Sequence, residues 1–561
     1  MDCEEVVYSN DYYDVIAEYT SVNRYESVTR CLQKISDVYD ILYTQRIKSP
    51  PLSIEKYSYM AIPKCFTLLN KQALEVSGIL RVQNYPTLSL KGQGVLMGFI
   101  DTGIDYENKV FQNADGSSRI AAIWDQTQRS GTPPKEFIYG SEYRQQQINN
   151  ALNQQNPSTI VPSTDSNGHG TYIASIAAGS ERGEADFIGA APYSQIAMVK
   201  LKDAKEYLKE FFFIPKDALA YQENDIMAGI AYLNKLADEL HMPLVLCFCM
   251  GSNLGSHSGV GSPATAMLDT LALRQQRAVV LAAGNEGNQR HHFYGQIQPD
   301  QQYQNVEISV GTGVTGFILE MWARAPELFV VEIVSPTGER VPKEYILSGG
   351  HEYTFLFEDT KVSFDYRVSG FSSGDQLIFM RFTNPIQGIW NIRVYRQLAE
   401  IGVFQMWLPM SELATGEIYF IRSSPDLTIT VPANSSLPMT VTAYDARDNS
   451  LYINASRGYT TTGIVKPDFA APGVEVYGAG LRNQFVTRSG TSGAAAVAAG
   501  ACALLLEWMV VRGNFSIVTN TELKNIFMRS ADKDSGRLYP NRDWGYGRLN
   551  VYRAFEMFRL Y

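Results

Sequence analysis

The alternation of apolar strands with helices is the feature of this sequence that most constrains its fold. Between about Ile62 and Tyr294, segments such as GVLMGFIDTG, PLVLCFCMG and AVVLAAGNEG are nearly continuous apolar runs, and helical patterns such as DIMAGIAYLNKLADEL separate them. Strands of this composition are buried on both faces, so they predict a parallel sheet that carries helices on each side. Ligands of such sheets bind at the carboxyl ends of the strands.

The pattern changes to a period of two between about Gln302 and Arg422. Short segments such as GFILEMWARA and GIWNIRVYRQ are rich in β-branched and aromatic residues, and turns rather than helices separate them. These segments predict an antiparallel β domain of the jelly-roll type. Because the α/β pattern resumes after about Pro425, we interpret this β domain as an insertion within one α/β domain.

The first residues predict a separate small unit. The segments YYDVIAEYT, YESVTRCLQKISDVYD and ILYTQR indicate a strand, a helix and a strand, and the S-P-P break at Ser49 follows them. We therefore divide the chain into an N-terminal α+β unit (1–61), two parts of the α/β domain (62–294 and 425–561) and the inserted β domain (295–424).

Composition narrows the classes of partner. The chain of 561 residues has 48 Lys and Arg against 58 Asp and Glu, a net charge of −10, which argues against a nucleic-acid or anionic-membrane surface. The N-terminal sequence MDCEEVVYSNDYYDV has neither the basic leader nor the apolar core of a secretory signal. We expect an intracellular protein that binds neither nucleic acid nor membrane.

The cysteines follow no metal-ligand spacing, so we expect no metal site and six reduced thiols. The close pair in C-F-C lies in an apolar strand, which favours buried packing over redox chemistry. The six are Cys3, Cys31, Cys65, Cys247, Cys249 and Cys502.

Ser492 stands where the stretch RSGTSGAAAVAAGACALLLEWM changes from small polar residues to an apolar helix. Unpaired backbone N–H groups and the positive end of the helix dipole gather at such a point, which suits a nucleophile that attacks a carbonyl. Serine is also a favoured N-cap, and a cap needs no catalytic role.

Three further polar residues follow apolar strands or begin helices: Asp101, His169 and Asn285. A serine hydroxyl needs a base, the base needs a group that fixes its tautomer, and the tetrahedral intermediate needs donors for its oxyanion. His169, Asp101 and Asn285 fit these roles. Each also has a structural alternative, namely an Asx turn for Asp101, a helix-start histidine for His169 and a turn residue for Asn285.

The motifs D-T-G-I-D, H-G-T, A-A-G-N-E-G and S-G-T-S, in this order, resemble those of the subtilisin-like serine proteases, the subtilases. The resemblance implies a catalytic triad of Asp101, His169 and Ser492, with Asn285 as oxyanion donor. It also implies that Met250, Gly251 and Ser252 in CMGSNLG bind the substrate backbone as an added strand.

The resemblance further implies that residues 1–61 are a prosegment, which helps the catalytic domain to fold and is released by self-cleavage. We predict the cut between about Tyr57 and Lys64, since the catalytic domain begins near IPKCF. The aromatic run EFFFIP is predicted to lie in a loop, where it lines outer substrate subsites, clamps the prosegment or packs against the insertion.

The absent signal, the short prosegment and the insertion together resemble the clostridial Csp germination proteases, as do phrases such as GQGVLMGFIDTGIDY. Active members of that group process the zymogen of a spore cortex hydrolase, which implies a protein substrate and a location in the cytoplasm or the spore. Two alternatives are a pseudoprotease scaffold whose prosegment stays in the cleft, and a protease of general protein turnover.

The sequence departs from the subtilase pattern after the nucleophile. Subtilases commonly have Met-Ala and then Pro there, whereas this chain has Gly493 and three alanines, so Gly493 is expected to loosen the turn of the nucleophile. Residues for the calcium sites of secreted subtilases are not identifiable, so we predict no cofactor, with calcium as the open alternative.

Overall fold

The described residues of the N-terminal unit form a short helix and an antiparallel sheet, and they do not follow the predicted β-α-β order. The structure, a computed structural model, describes residues 3–18, 31–36, 38–54, 56–68, 76–260, 262–341, 349–368, 374–398 and 400–558. The unit contains α1 (Cys3–Tyr8), β1 (Tyr12–Glu18), β2 (Leu32–Lys34) and β3 (Tyr39–Gln45), and β4 (Cys65–Leu68) follows it. The three strands β1, β3 and β2 pair antiparallel in that order.

The predicted helix over residues 25–40 is wrong where the structure describes it, and residues 25–30 lie outside the described part. Gln33 at the centre of β2 is buried, its Nε2 donates to Glu136 O at 2.8 Å, and its Oε1 accepts from Ile138 N at 2.9 Å. These contacts with the α/β domain hold the segment extended, so tertiary packing overrides helix propensity.

The expectation of six reduced thiols is also wrong. Cys3 and Cys31, whose Cα atoms lie 5.3 Å apart, form a disulfide that ties α1 to the segment before β2. The other four cysteines are free and buried, as expected for packing residues.

The predicted parallel sheet between helices is confirmed. The eight strands lie in the order β25 (Phe469–Pro472), β24 (Met439–Tyr444), β12 (Arg277–Ala282), β10 (Leu244–Phe248), β5 (Leu96–Asp101), β8 (Gln195–Lys200), β6 (Ile120–Asp125) and β7 (Ser141–Arg144). Of these strands, only the edge pair β6–β7 is antiparallel. The elements before the insertion are α2 (Ile79–Asn84), β5 (Leu96–Asp101), β6 (Ile120–Asp125), β7 (Ser141–Arg144), α3 (Gln145–Leu152), α4 (His169–Ala178), β8 (Gln195–Lys200), α5 (Glu206–Phe212), β9 (Tyr221–Gln222), α6 (Glu223–Leu240), β10 (Leu244–Phe248), β11 (Met250–Gly251), α7 (Pro263–Leu273) and β12 (Arg277–Ala282).

The predicted insertion is a sandwich of two antiparallel sheets. Its strands are β13 (His292–Gln296), β14 (Gln304–Val310), β15 (Gly316–Ala323), β16 (Leu328–Val334), β17 (Arg340–Val341), β18 (Gly349–Thr354), β19 (Lys361–Val368), β20 (Gln376–Thr383), β21 (Gly388–Leu398), β22 (Val403–Trp407) and β23 (Ile418–Phe420). One sheet has the order β13-β22-β15-β20-β19-β18 and the other β17-β16-β21-β14-β23. Strand β13 crosses the predicted boundary at 294/295, and the residue numbers of the four-part division stay a prediction.

The second part of the α/β domain contains the central helix α8. Its elements are β24 (Met439–Tyr444), β25 (Phe469–Pro472), β26 (Val476–Ala479), β27 (Phe485–Arg488), α8 (Thr491–Leu506), α9 (Asn520–Ser530) and α10 (Val551–Met557). Helix α8 and the turn after it, Thr491–Val511, are long and apolar enough to cross a membrane. Since 83% of its most apolar window is buried inside the protein, we interpret it as a core helix.

The predicted loop at EFFFIP is instead the short helix α5, and this helix contacts both neighbouring units. Phe211 stacks on Phe379 of the insertion, with ring centroids 6.0 Å apart. The Tyr207 hydroxyl accepts from Asp14 N of the N-terminal unit at 2.7 Å. The run therefore packs against the insertion, and the residues of α5 that precede it contact the N-terminal unit.

Candidate active site

Asp101 and His169 form a buried pair at the carboxyl edge of the sheet. Asp101 ends β5 and His169 begins α4, and their side chains are almost completely buried. His169 Nδ1 lies 2.8 Å from Asp101 Oδ1 and 2.9 Å from Oδ2. Because an ionised carboxylate only accepts hydrogen bonds, this contact places the imidazole proton on Nδ1 and leaves Nε2 as the basic nitrogen.

Asp165, which the sequence analysis missed, holds the turn that leads into His169. Its Oδ1 accepts from Asn167 N, Gly168 N and the Thr102 hydroxyl at 3.1, 2.8 and 2.9 Å. Its Oδ2 accepts from the backbone and hydroxyl of Thr171 at 3.0 and 2.7 Å. The available signal was an aspartate in the turn sequence DSNG directly before a helix.

Gly170 permits α4 to approach the end of β5. A Cβ at this position would lie 2.2 Å from Gly103 O and 3.1 Å from Asp101 Cβ. Any other residue would therefore push His169 away from its carboxylate partner, which explains the glycine of the H-G-T motif.

Ser492 is the second residue of α8 and is completely buried. The N-cap of α8 is Gly490, so the N-cap interpretation of Ser492 is wrong. Among the described residues, Ser492 Oγ has no hydrogen-bond partner, His169 included. Catalytic hydrogen bonds are often long in the absence of substrate and tighten only in the complex. The Ser492 N–H lies in the first turn, where helical N–H groups have no intrahelical acceptor.

Asn285 follows β12 and lies beside the start of α8. Its Oδ1 accepts hydrogen bonds from the backbone N and the hydroxyl of Thr491, both at 3.2 Å. These contacts assign the oxygen of the amide, and neither uses Nδ2. The amide is therefore oriented with its donor end available for an oxyanion.

Cys249 links the two halves of the site. Its thiol lies 3.6 Å from Ser492 O. Burial raises the pKa of this thiol well above its usual value, and the nearby Asp101 carboxylate contributes to the rise. Cys249 thus lies near both the Asp101–His169 pair and the start of α8 that carries Ser492.

A segment of the chain itself lies beside this site as the middle strand of a three-stranded sheet. Strand β4 pairs antiparallel with β11, where Leu68 is opposite Met250 and Thr67 is opposite Gly251. On its other side β4 pairs with β9, which the sequence analysis missed because it has only two residues. Met250 and Gly251, two of the three predicted substrate-strand residues, therefore pair with another strand of this chain.

Ser252, the third predicted substrate-strand residue, has a different partner. Its backbone N and O bond to Val431 O and N, both at 2.9 Å. The strand that faces the cleft consequently ends at Gly251.

The part of the chain that the structure describes contains no group of three His, Cys, Asp or Glu side chains that could hold a metal ion. Two clusters of buried oxygen atoms each hold a cation of the chain, three carbonyls around Arg119 and a carbonyl with a carboxylate around Lys466. The Arg119 guanidinium donates to the carbonyls of Val110, Ala178 and Ser194, and burial lowers its pKa to about 9. Lys466 Nζ donates to Pro438 O and Asp468, and burial lowers its pKa to about 8. These clusters do not fit calcium.

Residues 92–315 and 413–547 match the subtilase family, Peptidase S8, and the chain belongs to this family of serine endopeptidases. The solved structure of the CspB protease of Clostridium perfringens superposes with a TM-score of 0.77 at 30% identity. The match covers 86% of this chain and 98% of that one. The resemblance to the Csp proteases is therefore confirmed.

Curated relatives give a more distant match. The subtilisin-like proteases SBT3.4 and SBT3.3 of Arabidopsis thaliana are 24% and 25% identical over 522 residues. The alignments cover 83% and 84% of this chain but 63% and 64% of the relatives, so the chain spans just under two thirds of their length. The C5a peptidase of Streptococcus pyogenes is 27% identical over 155 residues, 26% of this chain and 13% of that protein.

Proposed function

We propose that the protein is a serine endopeptidase in which Ser492 attacks a peptide carbonyl and His169 accepts the serine proton. The observation that carries the proposal is the buried contact of His169 Nδ1 with Asp101, together with a buried serine hydroxyl at the start of α8. Asp101 stays ionised, fixes the tautomer and stabilises the imidazolium that forms.

The oxyanion of the tetrahedral intermediate is stabilised by the Ser492 N–H and by Asn285 Nδ2. Collapse of the intermediate releases the amine, which takes its proton from His169, and leaves an acyl-enzyme. Water activated by the same imidazole then hydrolyses the ester and regenerates Ser492. The orientation of Asn285 by Thr491 supports this assignment.

The first substrate is the protein's own N-terminal unit. Strand β4 occupies the position of a substrate strand between β9 and β11, which supports a prosegment that is cleaved in cis. This pairing does not favour the predicted cut between Tyr57 and Lys64, because both Tyr59 and Lys64 are buried upstream of the cleft strand. It favours a bond shortly after Leu68.

The second substrate is another protein, and the confirmed resemblance supports a zymogen such as a spore cortex hydrolase. We propose that this reaction takes place in the cell or the spore and needs no metal cofactor. The occupied cleft equally supports the pseudoprotease alternative, in which β4 never leaves. Broad digestion of unfolded proteins would instead indicate general protein turnover.

A fluorophosphonate probe, which phosphonylates activated serines with loss of fluoride, tests the proposal. The purified protein should be labelled on the peptide that contains Ser492, and the folded Ser492→Ala protein should not. A folded wild-type protein that stays whole, cleaves nothing and takes no label would support the scaffold instead.

A further inference from the structure

Lys64 extends the cleft strand by one residue and is held by a buried carboxylate. Glu223 N donates to Lys64 O at 2.8 Å, and Lys64 N donates to Glu223 Oε2 at 3.3 Å, directly beyond the Cys65–Gln222 pair. Lys64 Nζ donates to Tyr59 O at 2.6 Å and forms an ion pair with the same carboxylate oxygen at 3.8 Å. Lys64 is therefore in the register of a bound substrate, four residues before Leu68.

Glu223 belongs to the catalytic domain and keeps its position without Lys64. It is the first residue of α6, directly after β9, and its Oε1 accepts from Ala264 N at the start of α7 at 3.2 Å. Its side chain is completely buried. A buried carboxylate without a paired cation is strongly unfavourable. A substrate that replaces the prosegment in the cleft therefore binds best when it has a cationic side chain at the position of Lys64.

We propose that Glu223 is a specificity-determining residue that selects substrates with Lys or Arg at the position of Lys64, four residues before the residue that pairs with Met250. The inference rests on the proposed endopeptidase function. The substrate class that it names is extended segments with a basic residue at the position of Lys64. The prosegment is then a template for the substrate cleaved in trans.

Peptides test the inference without changing the protein. Fluorogenic peptides with the sequence of residues 60–72 would be offered to the wild-type protein that has split itself, with Lys64 kept or replaced by Arg or Met. We expect the Lys64→Met peptide to lose roughly tenfold or more in kcat/KM, and the Lys64→Arg peptide to lose little. A peptide with Lys71→Met is the matched control, and its kcat/KM should stay unchanged.

Equal kcat/KM for the Lys64 and Met peptides overturns the inference, as does a split protein that digests casein but cuts none of these peptides. A protein that neither splits itself nor digests casein overturns the proposed function instead. The two failures are therefore distinguishable.

The same comparison in cis needs no free cleft. In the full chain, Lys64→Met should slow self-cleavage roughly tenfold or more, whereas Lys64→Arg and the exposed Lys56→Met should split at nearly the wild-type rate. If a split protein cuts neither the peptides nor casein, the rate of self-cleavage in these full-length variants tests the inference. A Lys64→Met chain that splits at the wild-type rate overturns the inference.

Discussion

Asn285 Oδ1 lies 3.2 Å from both the backbone nitrogen and the hydroxyl oxygen of Thr491, the residue before the nucleophile. The start of α8 thus orients the amide that we propose as the oxyanion donor. The Thr491 hydroxyl also accepts from Gly284 N at 3.1 Å, which ties the turn before Asn285 to the same helix.

The first prediction concerns this donor. Asn285→Ala should lower kcat by about 10²–10³ with little change in KM, because the lost hydrogen bond strengthens only in the transition state; the magnitude is taken over from subtilisin. Thr491→Val should have a smaller effect in the same direction, since the backbone bond to Asn285 remains. Steady-state kinetics of the split proteins measures both, and an unchanged kcat in Asn285→Ala would exclude Asn285 as the donor.

The second prediction concerns Gly170. Gly170→Ala brings a methyl group to 2.2 Å from Gly103 O, so the start of α4 must shift and move His169. We expect self-cleavage to fall at least about tenfold, since small misplacements at a reacting centre are costly. Gly183→Ala is the control, because a Cβ there meets nothing within 4 Å. Mass spectrometry over time measures the rates, and equal rates in both variants would contradict the packing argument.

The third prediction is a loss of stability in acid at the junction between the insertion and the catalytic domain. His257 and His292 both stack on Trp407, with ring centroids 4.1 and 4.8 Å away. Burial lowers the pKa of His257 to about 4 and that of His292 to about 3, from an ordinary value of 6.5. As the pH falls below 6.5 the unfolded chain binds protons before the folded protein does, so stability present above pH 6.5 is lost progressively towards pH 3.

For His257 alone this loss amounts to about 3 kcal/mol at the acid end. Thermal unfolding between pH 7 and pH 4.5 measures it, and His292→Phe should flatten the decline, whereas the exposed His241→Gln should not. If thermal stability declines equally with pH in the wild type and in His292→Phe, protonation of His292 is not a cause of the decline.

Most of the predictions that could be made from the sequence came from local motifs. Asp101, His169, Asn285 and Ser492 each lie within a short stretch at a strand end or helix start, so their convergence follows from the order of the elements. The period-two segments likewise predicted the sandwich, because strand alternation is a property of neighbouring residues.

Contacts between distant residues were not predictable. The extended conformation of residues 32–34 depends on contacts of Gln33 with residues more than a hundred positions away. The helical periodicity of the local sequence therefore predicted the wrong secondary structure here. Strand β9 has too few residues to show a pattern, and the pairing of β4 with it arises only in the folded chain. The Lys64–Glu223 contact joins residues 159 positions apart for the same reason.

The central claim is that Ser492 is a nucleophile that first cleaves its own chain, and the intact mass of the purified protein beside its Ser492→Ala variant tests it most directly. We predict that the wild type splits into an N-terminal fragment that ends shortly after Leu68 and a large remainder, while Ser492→Ala stays whole. A wild type that stays whole, or a variant that splits at the same bond, would contradict the claim.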